Sequence, residues 1–137
     1  MSSSSSADVQ AMPLHLLAIG VGATCGAWLR WALALALNPR TPAFPLGTLA
    51  ANLVGGYLVG LAVAWFGART DIDAAWRLFA ITGFLGGLTT FSTYSAEVVE
   101  ALLRGAFAAG ICIALAHLAG SLVLTWLGIL TYRALAA

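Results

Sequence analysis

The chain has 137 residues, of which 61% are hydrophobic and only 8% charged, with a formal net charge of +1; an ordinary soluble domain carries about 25% charged residues. A soluble chain this small leaves too much of its surface exposed to hide so much apolar area, so composition excludes a soluble domain and assigns the chain to lipid. Six scattered arginines and no lysine exclude the clustered basic face that nucleic acid requires, and the length allows one domain only.

Residues 1–10 hold a five-serine run and Asp8. They lack the positive n-region of a signal peptide and the apolar stretch behind them is too long for an h-region, so residues 1–12 read as a disordered polar tail. A bilayer core about 30 Å thick takes about 20 apolar helical residues. Residues 14–37 fit a first span, and Asn38, Pro39, Arg40, Thr41 and Pro42 fit a turn. Residues 47–66 fit a second span. Residues 67–75, with Arg69, Asp71 and Asp73, form a water-exposed connection. Residues 76–103 fit a third span, Arg104-Gly105 a very short link, and residues 106–130 a fourth. The expected fold is therefore all-α and membrane-embedded, with one four-helix domain over 13–133 and a C-terminal tail over 134–137. Trp28, Trp31, Trp65, Trp76 and Trp126 fall near span ends, where an amphipathic ring has one apolar and one wet side.

With the N-terminus, second loop and C-terminus on one side, that side carries Arg69, Arg77 and Arg133, and the other carries Arg30, Arg40 and Arg104. The positive-inside rule needs an imbalance, and three against three gives none. Two readings stay open: a weak preference decides orientation, or the chain inserts both ways. Dual topology would let two copies pair antiparallel about an axis in the membrane plane. Four spans also enclose too little protein for a polar path, so a homodimer is the natural unit.

Within the spans, Gly22/Gly26, Gly56/Gly60 and Gly83/Gly87 are small pairs at spacing four, which let membrane helices approach closely. Cys25 and Cys112 lie in apolar runs and read as small core residues, too few for a disulfide framework or a metal cluster. Thr48 and Asn52 stand one turn apart on one face of the second span. An unpaired amide in hydrocarbon costs about 4–8 kcal/mol, so Asn52 either glues two helices together or lines an ion path. His117, Ser121 and Thr125 form a polar stripe down the fourth span. Each hydroxyl there can bond its own helix or line a hydrated track. Glu100 and Arg104 suit an i,i+4 pair at the interface. Glu97 lies deeper and is a functional candidate by default. Arg30 either snorkels to the surface or offers positive charge to an anion.

The third span is interrupted by Gly86-Gly87-Leu88-Thr89-Thr90-Phe91-Ser92-Thr93. Six of these eight residues are Gly, Ser or Thr, with a summed helix penalty of about 4 kcal/mol relative to alanine. At bilayer depth, non-helical backbone survives only when buried in protein or lining a cavity. A broken helix there exposes carbonyls to cations, and the N-terminus of the following half-helix to anions. Phe91 and Tyr94 follow at spacing three. An aromatic ring has a positive edge, so edge-on rings can favour an anion without a formal charge. No nucleophile–base arrangement suggests catalysis, so the chain does not read as an enzyme.

The run from Gly83 to Glu97, GFLGGLTTFSTYSAE, closely resembles the third-helix signature of the Fluc (CrcB) fluoride channels. So do the second-span run from Gly47 to Gly56, GTLAANLVGG, and the first-span run from Gly22 to Trp31, GATCGAWLRW. The resemblance covers nearly the whole chain, from about Leu14 to Arg133. It implies a dual-topology antiparallel homodimer with two pores, exporting fluoride passively across the bacterial inner (plasma) membrane. It also implies a structural sodium ion at the dimer centre, held by backbone carbonyls at the positions of Gly86 and Thr89. The implied ion path includes Asn52, Ser121, and two phenylalanine positions matched by Phe91 and Tyr94; Thr48, on the helix face of Asn52, and Arg30, as positive charge for an anion at a vestibule, are added to it as candidates from the reading of the spans. Tyr94 departs from the family pattern: it keeps the ring edge and adds a hydroxyl. The rival is a proton-coupled small multidrug-type transporter, also a four-span dimer, which relies on an acid in the first span. Residues 14–37 contain none.

Overall fold

The computed structural model describes residues 3–40 and 44–136, with side chains from residue 10 to 39 and from 44 to 136. Every regular element among the described residues is helical. Helix α1 spans Ser3–Leu37 and ends in a 3₁₀ turn, Asn38–Arg40. Helix α2 spans Leu46–Gly67. Then come α3 (Ala74–Arg77), a π-helical segment (Leu78–Leu85), and α4 (Gly86–Leu88). Helix α5 spans Phe91–Leu103 and α6 spans Phe107–Ala136.

Three of these helices are long and apolar enough to cross a membrane: Gln10–Leu37, Leu46–Gly67 and Phe107–Ala136, with mean hydropathies of 1.4, 1.7 and 2.1. Their outward surfaces are greasy on all sides, with Trp28, Trp126, Leu118 and Leu122 all exposed, as expected for helices whose solvent is lipid. Cys25 and Cys112 are exposed too. Their apolar runs pointed to a core, but a small helical chain turns most of its apolar residues toward lipid and few inward. Residues 76–103, expected as one span, are divided among α3, the π segment, α4 and α5.

Helix α1 also starts earlier than composition suggests. It is continuous from Ser3 through Pro13, across residues whose polar content reads as a disordered tail. The turn after it lies partly outside the described residues, which resume at Phe44. What is described explains the tight reversal: Asn38 Oδ1 accepts the Gly47 N–H at 2.7 Å. That satisfies one of the orphan donors at the start of α2. Between α2 and α3, Asp73 accepts the Ala75 N–H at 2.7 Å and caps the next helix. Between α5 and α6 the chain turns at Gly105, whose φ of 75° lies in the left-handed region that glycine enters without steric cost.

Two close helix contacts organise the molecule. The most extensive is between α2 and α6, where a Cβ on Gly60 would fall on the Thr125 carbonyl and one on Gly128 on the Tyr57 carbonyl. The second joins α1 to the π segment and α4. There Gly26 faces the Phe84 carbonyl, and a Cβ on Gly83 would stand 2.8 Å from the Ile19 carbonyl oxygen. Backbone meets backbone at both seams, as small residues allow in a membrane. Between the seams sits a compact core of Ala51, Leu85 and Leu88. It holds α2 against the end of the π segment and α4, and so fixes the position of the residues that follow Leu88.

Candidate functional site

Helical winding stops immediately after Leu88. Thr89 adopts φ −82°, ψ 153° and Thr90 φ −149°, ψ 121°, both extended, before α5 begins at Phe91. Thr89 still donates its N–H to the Leu85 carbonyl at 3.0 Å. Thr90 sits at the N-cap of α5, where its N–H has no helical acceptor. Asn52 supplies one: Thr90 N–H donates to Asn52 Oδ1 at 2.7 Å, and Asn52 Nδ2 donates to the Thr90 carbonyl at 3.0 Å. The side-chain amide thus imitates the edge of a neighbouring strand. Thr90 also caps α5, its Oγ1 accepting the Thr93 N–H at 3.2 Å and donating to Thr93 Oγ1 at 3.1 Å.

Beside this break lies a cleft of about 280 Å³ lined by Asn52, Gly56, Thr89, Thr90, Phe91, Tyr94, His117, Leu118, Ser121 and Leu122. Four elements contribute: α2, the extended pair, α5 and α6. The Phe91 and Tyr94 rings meet edge-on, with centroids 5.4 Å apart and planes at 70°. Tyr94 stacks on His117 with centroids 4.8 Å apart and planes at 25°. His117 Nδ1 stands 2.9 Å from Asn52 Nδ2. The first turn of α5 opens at the cleft, and the N-terminal end of a helix carries partial positive charge. The arrangement is suited to holding a small anion, with ring edges and N–H and O–H donors in place of a fixed charge.

A model of the family described as "CrcB-like protein, Camphor Resistance (CrcB)" matches residues 17–129. The chain belongs to the CrcB family. Among its relatives is a "Fluoride-specific ion channel FluC" of Dechloromonas aromatica (strain RCB), 62% identical over 125 residues, covering 91% of this chain and 93% of that protein. Proteins with the same description from Thiobacillus denitrificans (strain ATCC 25259 / T1) and Ralstonia pickettii (strain 12J) are 62% and 59% identical. They cover 82% and 88% of this chain, and 90% and 95% of their own lengths.

In this CrcB chain the structure brings Asn52, Phe91, Tyr94 and Ser121 together at the cleft, and places Thr48 and Arg30 elsewhere. Thr48 Oγ1, one turn from Asn52 along α2, donates to Glu97 Oε1; the other carboxylate oxygen of Glu97 is buried without a partner. Arg30 Nε donates to the Gly87 carbonyl at 3.0 Å, at the C-terminal end of α4, where a cation meets the negative end of the helix. Thr125 leaves the polar stripe of α6 to donate to the Gly56 carbonyl at 3.0 Å, so it joins helices, while His117 and Ser121 line the cleft. Glu100 and Arg104 form their expected pair at 3.6 Å, well exposed. The residue whose role sequence missed is Thr90. Its signal was present: a threonine standing just before a helix restarts is an N-cap signature.

The sodium ion implied by the resemblance can be tested against the residues at the break. Gly86 is exposed, and a Cβ there would meet only the Ile81 carbonyl oxygen, at 3.6 Å. The space beside it is therefore open in the single chain, leaving room for an ion of the kind the resemblance implies. The end of α4 supplies carbonyls without intrahelical partners. Hard monovalent cations take such oxygen ligands, so the donor set fits.

Proposed function

We propose that this CrcB chain is a passive fluoride-selective channel of the bacterial inner membrane that exports cytoplasmic fluoride. It works as an antiparallel, dual-topology homodimer with two pores. In this reading α3, the π segment, α4 and α5 together make a further crossing, broken at Thr89 and Thr90. The observation that carries the proposal is the cleft at that break, where ring edges, hydroxyls and the start of α5 converge with no lysine or arginine among its lining residues.

Fluoride is small and strongly hydrated, and transferring a bare ion into an apolar medium costs tens of kcal/mol by Born estimates. The chain's donors must therefore replace water as the ion advances. Ser121 and Tyr94 offer hydroxyls, Phe91 and Tyr94 offer positive ring edges, and the first turn of α5 adds a favourable potential. Asn52 keeps Thr90 extended and so keeps the break open. Larger anions hold water less tightly but fit a narrow donor-lined path poorly. Each contact is weak singly, which allows release as well as entry. Gly86 and Thr89 would hold the sodium ion at the dimer centre, where its charge would favour an anion in either pore. A proton-coupled exporter would need an acid in the first span, and residues 14–37 supply none.

The proposal is tested in a bacterium stripped of its own fluoride export. Expression of the chain should lower intracellular fluoride, read with an electrode on lysed cells, and restore growth in fluoride medium. Unchanged intracellular fluoride, with the protein present in the membrane fraction, would refute it.

A further inference from the structure

The hydrogen bonds around Asn52 leave that amide nothing to offer an ion. A side-chain amide has two N–H donors and one carbonyl acceptor. The carbonyl must face Thr90, because only an acceptor can meet the Thr90 N–H at 2.7 Å. That fixes which end of the amide is nitrogen. One of its two N–H groups then goes to the Thr90 carbonyl at 3.0 Å, and the other points at His117 Nδ1, 2.9 Å away. Both donors are consumed.

The same geometry fixes the imidazole. Nδ1 faces a donor and must accept, so a neutral His117 carries its hydrogen on Nε2. His117 is only 3% exposed, and its Nε2 is buried with no partner in the chain, yet the residue lines the cleft. Buried donors are nearly always satisfied. Tyr94, stacked across the ring face, holds the imidazole plane in place.

We propose that His117, through its Nε2–H, is an anion-binding residue of the path, and that Asn52 acts on the ion indirectly by locking this tautomer. This rests on the fluoride-channel reading and assigns it a donor of a kind not found in hydroxyls or ring edges. The chain Thr90–Asn52–His117 becomes a relay: the broken backbone orients the amide, the amide orients the imidazole, and the imidazole presents one N–H to the anion. Polarisation along such a chain strengthens its last donor.

The test uses the full-length protein reconstituted in liposomes, with histidine ¹⁵N-labelled and His15→Gln introduced so that only one histidine remains. Nitrogen shifts should report a single neutral tautomer protonated at Nε2, and sodium fluoride, unlike sodium chloride, should move the Nε2 resonance. An Nδ1-protonated ring, or an Nε2 resonance indifferent to fluoride, would overturn the proposal. In parallel, His117→Leu should slow fluoride efflux about tenfold or more, the scale of one hydrogen bond to a charged group. His117→Gln, able both to accept from Asn52 and to donate, should restore most of the rate. A folded His117→Leu protein with wild-type efflux would overturn it too. If the wild type passes no fluoride, the channel reading fails; the response of the Nε2 resonance to fluoride still decides the binding assignment by itself.

Discussion

Replacing Asn52 by leucine keeps the volume of the side chain and removes everything it does. Two groups lose their partner, the Thr90 N–H and His117 Nδ1, while the Thr90 carbonyl, at the N-cap of α5, keeps the first bond of that helix. An orphaned buried donor or acceptor costs about 1–3 kcal/mol, so the upper sum is about 6 kcal/mol. Thr90 is only part-buried, and water in the cleft can recover its bond. The lower end, about 2 kcal/mol, is therefore the expected loss. Asn52→Asp should come close to it, because a carboxylate still accepts from the Thr90 N–H but sets a second oxygen against the Thr90 carbonyl and His117 Nδ1. The assay is reversible unfolding in mixed dodecylmaltoside and dodecylsulfate micelles, followed by tryptophan fluorescence at fixed protein concentration, since the stability of the proposed dimer would depend on it. A loss below about 1 kcal/mol for Asn52→Leu, less than one typical unsatisfied group, would refute the claim that this amide holds the break open.

Other perturbations follow from the same geometry. Gly60→Val places a side chain on the Thr125 carbonyl, whereas a Cβ at Gly20 meets nothing within 4 Å. The first should cost at least the roughly 1–3 kcal/mol of an overpacked seam and disrupt the folded species on gel filtration; Gly20→Val should leave it intact. Arg30→Met loses the bond to the Gly87 carbonyl, and should destabilise by about 1 kcal/mol in the same micellar titration. Thr48→Val removes the donor to Glu97 Oε1, leaving both carboxylate oxygens without partners. The loss should be about 1–3 kcal/mol and should shrink when Glu97→Gln is added. Additive losses in that double-mutant cycle would show that the two side chains do not interact.

The membrane class and three long helices follow directly from composition, since apolar content and span length are properties of the chain alone. The glycine pairs were equally legible: Gly22/Gly26 and Gly83/Gly87 meet across one seam, and Gly56/Gly60 lie on another. Spacing of four can be read without knowing the partner. The interruption at residues 86–93 was visible as poor helix formers, but its bounds were not. Only Thr89 and Thr90 are extended, because the Leu85 carbonyl still holds the Thr89 N–H and Asn52 captures Thr90. That capture comes from a residue 38 positions away, and no local pattern encodes it. The polar stripe of α6 illustrates the same limit. Periodicity puts His117, Ser121 and Thr125 on one face, yet helix crossing decides that Thr125 meets the Gly56 carbonyl while the other two reach the cleft.

The central claim, selective passive movement of fluoride, is tested most directly with the purified protein in liposomes loaded with fluoride and chloride together. Potassium permeability is supplied by an ionophore and pH is held equal on both sides. Ion-selective electrodes should then record fluoride release with chloride retained, at a rate indifferent to an imposed proton gradient. Release of both anions alike, or fluoride movement only when a proton gradient drives it, would contradict the account.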